Sequence, residues 1–363
     1  MNILGLIKKN IELPVFVLIF VVVTLLNRFG VFNDYALQVI QLACIYIIMA
    51  ESLNILNGMT GLSSLGQAGF MSVGAYVSAM ITTTFINVGA MAPALQVVMF
   101  ILVTLVGATV SCVIGILIGM PAMRVRGDYL AIVTLGFCEV IRTIWRVVPS
   151  NIAGAAFGLT GIPKLANFFW CFLFMLLAVY ACRNFMDSSY GRACIAIRDN
   201  EIAADTMGIN CFKYKTIAFG TSAFIAGIAG SLYAHLLVYI HPDVFSYAKS
   251  SDFLVYLYAG GVGSISGAML GATVLTILPE ILRFLGNWRM VIYGMLLLFI
   301  ILFRPTGMFG GREFAFLKLK TGGIKVFHAN TPIEWFKNRK KDKEEAAAQA
   351  AEDIKQISEE VSE

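Results

Sequence analysis

The sequence predicts an all-α, polytopic integral membrane protein of about eight to ten transmembrane helices, some broken or re-entrant at Gly-rich segments. Three observations carry this expectation. Of the 363 residues, 58% are hydrophobic and only 13% are Asp, Glu, Lys or Arg, with a mean hydropathy of +0.80. A globular chain carries about a quarter of its residues charged. Ser52 to Met123 is a run of 72 residues without a single charge, and at roughly 20 residues per crossing it holds about three spans. The apolar runs are continuous, whereas strands of a lipid-facing barrel alternate in polarity, so helices remain as the way to satisfy the backbone in lipid.

Taken in order, the chain opens with Lys8 and Lys9 and an apolar stretch, Leu13–Leu26, ending at Asn27 and Arg28. No small-x-small cleavage site follows, so the stretch reads as a first transmembrane helix, not a signal peptide. Tyr35–Asn57 is a second span, with Glu51 near its end. The charge-free run continues it through a Gly/Ser-rich break into further helices. Asp128–Val148 is amphipathic and carries Glu139, Arg142 and Arg146. Further charge-free runs are Leu165–Cys182, Thr216–Pro242, Phe253–Pro279 and Met290–Phe303. Lys8 and Lys9, the segment Arg183–Lys215 and the region from Arg304 are the basic parts, and basic loops face the cytoplasm. Both termini are therefore expected there, with an even number of crossings. Phe253–Pro279 must then start and finish on the outer side, as a hairpin of short helices or a re-entrant element. The Ala/Glu/Lys-rich tail from Lys337 reads as a solvated or partly disordered cytoplasmic segment. This divides the chain into a membrane domain, residues 1–310, with a cytoplasmic loop at 187–215, and a charged tail, residues 311–363.

Two Gly/Ser/Ala-rich segments resemble each other faintly: Gly58–Tyr76 (GMTGLSSLGQAGFMSVGAY) and Gly260–Ala272 (GGVGSISGAMLGA). They read either as close helix packing through small residues, like the GxxxG pairs Gly115–Gly119 and Gly267–Gly271, or as paired broken helices of the kind transporters place at a pathway.

Signatures of enzymatic chemistry fail. There is no GxxxxGK[ST] phosphate loop, and GLTGIPK (Gly158–Lys164) has the wrong spacing. GVGSISG (Gly261–Gly267) is one residue too long for GxGxxG, and in GLSSLG (Gly61–Gly66) Leu65 stands where a nucleophile elbow needs glycine. Seven cysteines form no CxxC pair and read as small buried hydrophobes. Three histidines, 235, 241 and 328, are too scattered for a metal site. No cofactor is implied, and the net charge of +5 reflects membrane borders, not nucleic-acid binding. Among ionisable residues in apolar segments, Glu139 and Arg142 are three apart on one helix face and read first as a mutual ion pair, leaving Glu51 as a further candidate for function.

The segment Arg183–Lys215 interrupts this apolar chain with five basic and four acidic residues. Asp199 or Asn200 is a natural N-cap, Glu201 suits the positive end of a helix, and Gly208 suits the position that ends one. The result is a helix of about two turns, Glu201–Met207, with Ala203, Ala204 and Met207 on one face. Such an element reads either as a knob for a partner's groove or as a loop helix lying at the headgroups.

On these residues the chain resembles a known family. Asn200–Asn210 (NEIAADTMGIN) looks like the EAA-type loop of ATP-binding-cassette importer permeases, with Glu201, Ala203, Ala204 and Gly208 in the pattern positions. With GLSSLGQAGFMSVGAY, Arg124–Arg142 (RVRGDYLAIVTLGFCEVIR), GGVGSISGAMLGA and Arg304–Gly310 (RPTGMFG), the stretch from about Tyr35 to Gly310 resembles LivM-type branched-chain amino acid permeases. The resemblance implies a plasma-membrane permease of a prokaryote. It implies as partners a second homologous permease, two cytoplasmic ATPase subunits, an extracytoplasmic solute-binding protein and an amino-acid substrate. The 200–210 helix would couple to the ATPase, and Ser63, Ser64, Gln67, Thr134 and Glu139 would lie along the translocation pathway. Alternatives are a permease for other amino acids or urea, an ion-coupled secondary transporter using Glu51 or Glu139 as a proton site, and a membrane-embedded enzyme or scaffold.

Overall fold

The structure is a computed structural model that describes residue 24 and residues 33–85, 92–124, 129–149, 153–303 and 307–308. The expected first span, Leu13–Leu26, most of RPTGMFG and the tail lie outside the described residues. The described residues form eleven α-helices. α1 is Asp34–Leu53, α2 Gln67–Met80, α3 Pro93–Ala122, α4 Tyr129–Val147 and α5 Phe168–Asp187. Two short helices follow, α6 at Ser189–Asp199 and α7 at Glu201–Thr206. α8 is Cys211–Leu237, α9 Tyr247–Gly260, α10 Ile265–Ile281 and α11 Arg289–Phe303. Five stretches are long and apolar enough to cross a membrane: Asp34–Met59, Ala94–Ala122, Phe168–Asp187, Cys211–Leu237 and Ile265–Gly286. Together with the polar breaks between them, they make this a polytopic helical membrane protein.

The charge-free run is divided among three helical segments. Its start completes α1, which passes into a π-helical turn at Asn54–Met59. An irregular stretch, residues 60–66, leads to the 14-residue α2, which continues as π-helix over Ile81–Phe85. Only α3, with 30 residues, spans in one piece.

α8 is the axis of the bundle. The Asn210 side chain caps its start by accepting from Lys213 N at 3.0 Å, and it ends where Val238 turns left-handed with φ 64°. Glycines let its neighbours approach. A Cβ on Gly230 would lie 1.9 Å from Met71 O, and one on Gly227 2.8 Å from Ala108 Cα, so α2 and α3 press backbone to backbone on it. The predicted GxxxG pairs behave likewise. A Cβ on Gly115 would meet that of Ala223 at 2.4 Å, and one on Gly271 would stand 2.2 Å from Tyr256 O. α4 is amphipathic as expected. Leu130, Thr134, Cys138 and Ile141 face inward, and Tyr129, Ile132, Val140, Ile144 and Val147 face out.

The 253–279 region is a hairpin of antiparallel helices, α9 and α10, joined by a tight turn at residues 261–264. One end of the bundle carries α6, α7 and that turn. At the other end, Tyr35 at the start of α1 donates to Glu280 Oε2 near the end of α10 at 2.6 Å.

Candidate functional site

Two arrangements stand out, a polar break inside the bundle and a helical knob at one end. The break begins in the π-helical turn, where Thr60 Oγ1 donates to Leu56 O at 2.6 Å and Ile55 O at 3.2 Å. Irregular backbone at membrane depth survives only when its polar groups find partners, and here several do. Leu62 N donates to Leu56 O (3.0 Å), Ser64 N to Asn57 Oδ1 (3.3 Å), and Leu65 N to Thr134 Oγ1 (3.0 Å). At the start of α2, Ala68 N donates to Ser250 Oγ (2.9 Å), from α9.

The two Gly-rich segments meet at this break. Asn54 Oδ1 accepts from Gly263 N at 2.9 Å and Asn54 Nδ2 donates to Ser264 O at 3.4 Å. A Cβ on Gly58 would lie 2.7 Å from Gly263 N. The glycines allow close packing, and the packing occurs where both segments leave helical geometry.

Of the residues expected along a pathway, Ser64, Gln67 and Thr134 are buried around this break, and Ser63 is half-buried beside them. Gln67 Nε2 donates to the hydroxyls of Ser52 and Ser222, the latter at 2.8 Å. The two serines also exchange bonds with each other's carbonyls at 2.7 Å. Gln67 thus ties α1, α2 and α8 at one point, while its Oε1 has no hydrogen-bond partner among the described residues. Thr134 is the acceptor for the loop backbone. Glu139 stands apart from this group. It pairs with Arg142 Nη1 at 2.7 Å, as the ion-pair reading expected, and accepts from Tyr247 N at 3.1 Å. Arg146 turns instead to Asp243. Glu51 is fully buried in α1. Sequence reasoning missed Ser52, Asn54, Asn57, Ser222 and Ser250. For Ser52, Asn54, Asn57 and Ser222 the signal available was a polar residue inside a charge-free run; Ser250, between Lys249 and Asp252, carried none.

The knob is built as its sequence implies. Asn200 is the cap, its Oδ1 accepting from Ala203 N at 3.0 Å, and Gly208 follows the helix with φ 83°. One feature differs. Ala204 does not share an outward face with Ala203 and Met207. It is only 5% exposed and packs with Ile197 and Cys211, because a cluster between α6 and α8 draws it inward. The outward apolar residues are Ile202 and Met207, 79% and 82% exposed. Lys215 Nζ of α8 pairs with Glu201 Oε2 at 2.7 Å and holds the knob to the bundle. A groove of about 850 Å³ runs past it, lined by Asn200, Glu201, Ile202, Asp205, Gly208 and Phe212 among others. In α6, burial pushes the Cys194 thiol up to about 12, so it stays protonated and serves as packing.

Residues 35–301 match the family described as branched-chain amino acid transport system / permease component. The chain is 30% identical over 322 residues to the high-affinity branched-chain amino acid transport system permease protein LivM of Escherichia coli (strain K12), covering 79% of this chain and 73% of that protein. It is 26% identical over 222 residues to the probable branched-chain amino acid transport permease protein LivM of Methanocaldococcus jannaschii, covering 54% and 64%. The Escherichia coli (strain K12) permease protein LivH is 32% identical over 128 residues, or 35% of this chain and 41% of that protein. No solved structure matches the chain.

Proposed function

Since the chain belongs to the branched-chain amino acid transport system permease family, we propose that it is the permease subunit of an ATP-driven importer for leucine, isoleucine and valine. The substrate is taken from the family and from the names of the relatives. The transport path would run between this chain and a second, related permease. Ser63, Ser64, Gln67 and Thr134 would place hydroxyl and amide groups at its break without a buried charge, and Glu139 would lie along the path nearer the other end.

The observation that carries the reading is α7. It exposes Ile202 and Met207 beside a groove while Glu201 and Ala204 fasten it to α8 and α6. A rigid helix with an apolar face outside the membrane is a docking element, and a chain without a phosphate loop must receive ATP-derived work from a partner. In this reading, two ATPase subunits seat α7 through the loop 187–215, and an extracytoplasmic binding protein delivers substrate at the far end. On the same reading the α7 end, with the basic residues of α6–α8, lies in the cytoplasm of a prokaryote, as do both termini, consistent with the bias of basic loops to that side. Residues 1–310 form the permease domain and residues 311–363 a charged cytoplasmic tail.

The test is to purify the chain, gently solubilised from its native membrane, and identify its companions by mass spectrometry. An ATPase, a second permease and a binding protein are expected. Recovery of the chain alone, or as a homo-oligomer, overturns the reading.

A further inference from the structure

Arg198 closes the last turn of α6 and reaches into the break. Its Nη1 donates to Gly58 O at 2.8 Å, within the π-helical turn. On the other side of the fork, Nε and Nη2 donate to Asp199 Oδ1 at 3.2 and 3.1 Å. One glycine makes room for it, and a second lies in ordinary contact with its tip. A Cβ on Gly61, whose φ is 68°, would lie 2.7 Å from Arg198 Cγ, and one on Gly263 would lie 3.7 Å from Nη1. Gly58 itself is pressed against Gly263 N, which brings the two turns together under the guanidinium. One guanidinium therefore sits on the turn after α1 and beside the turn between α9 and α10.

Its root is attached to the docking element. Asn200 ends α6 and also caps α7, and Ala204 packs on Ile197. A displacement of α7 moves α6 with it, and Arg198 lies where that motion meets the two chain breaks. From this geometry we propose that Arg198 is the positioning residue that transmits movement of the α6–α7 unit to the paired breaks at residues 58–64 and 261–264. A planar fork that holds a carbonyl on one edge and a carboxylate on the other resists tilting, which a lysine ammonium does not. The inference rests on the importer reading only for the origin of the movement.

Two arms test it. In the complex purified from its native membrane and reconstituted, Arg198→Lys and Arg198→Ala leave ATP hydrolysis within about twofold of wild type, while uptake of radiolabelled leucine falls about tenfold or more. Unchanged uptake overturns the proposal, as does uptake that falls only in step with hydrolysis and complex yield. The second arm uses the chain alone in detergent. Backbone amides of residues 60–66 exchange about tenfold faster in Arg198→Ala, with α1 and α8 unaltered. Unchanged exchange there overturns the proposal. Should no ATPase accompany the chain, the importer reading falls, and the exchange arm still decides the role of Arg198.

Discussion

Gly74 stands where α2 crosses α8, and a Cβ there would lie 2.2 Å from Gly227 O and 2.5 Å from its Cα. Neither neighbour is the loose end of a side chain, so only separation of the two helices makes room. Gly74→Ala is expected to destabilise the protein by about 3 kcal/mol, read as a lowered thermal midpoint of the solubilised chain. Gly136 is the control. It has open space around its Cβ position on the outward side of α4, and Gly136→Ala changes stability by about 1 kcal/mol or less, in the favourable direction. The two glycines look alike in the sequence, since each sits in an apolar helical stretch. What separates them is a contact with a residue 153 positions further on for Gly74 (227 minus 74) and none for Gly136.

Among the elements, α7 was legible almost in full, because its cap, first-turn acid and terminal glycine all act locally. The orientation of Ala204 was not. A helix of six residues is too short for periodicity to choose a buried face, and the choice is made by Ile197 and Cys211 on flanking helices. Gly208 has open space around its Cβ position, so a long side chain there projects outward without a clash inside the chain, at a cost of about 1–2 kcal/mol for its left-handed backbone. Gly208→Arg is expected to leave the protein in the membrane and to remove the ATPase from the purified complex, measured by subunit stoichiometry. ATPase retained at wild-type stoichiometry would reject the docking role. The break at residues 60–66 was likewise legible from its Gly/Ser content. Its partners were not, because Asn54 finds Gly263 and Gln67 finds Ser222 across separations of 209 and 155 residues.

At the scale of the whole molecule, hydropathy alone identified a helical membrane protein, since charge-free runs of this length have no other stable form. It could not show where the run of residues 52–123 is broken, because an interrupted helix is as apolar as a continuous one. If ATP is the energy source, leucine uptake by the reconstituted complex depends on ATP and is unaffected by a protonophore, and Glu51→Gln leaves that insensitivity in place. Uptake that collapses with the proton gradient would favour ion coupling through Glu51 or Glu139 instead. The short α2 bears also on how the chain is made. During synthesis α2 emerges well before α8, yet α8 supplies the backbone surface of Gly227 and the Ser222 hydroxyl against which α2 is fixed. Even with its π-helical continuation to Phe85, α2 is not among the described stretches long and apolar enough to cross a membrane. The segment must therefore wait at the membrane, unfinished, until about 150 further residues have been made and the bundle can close around it.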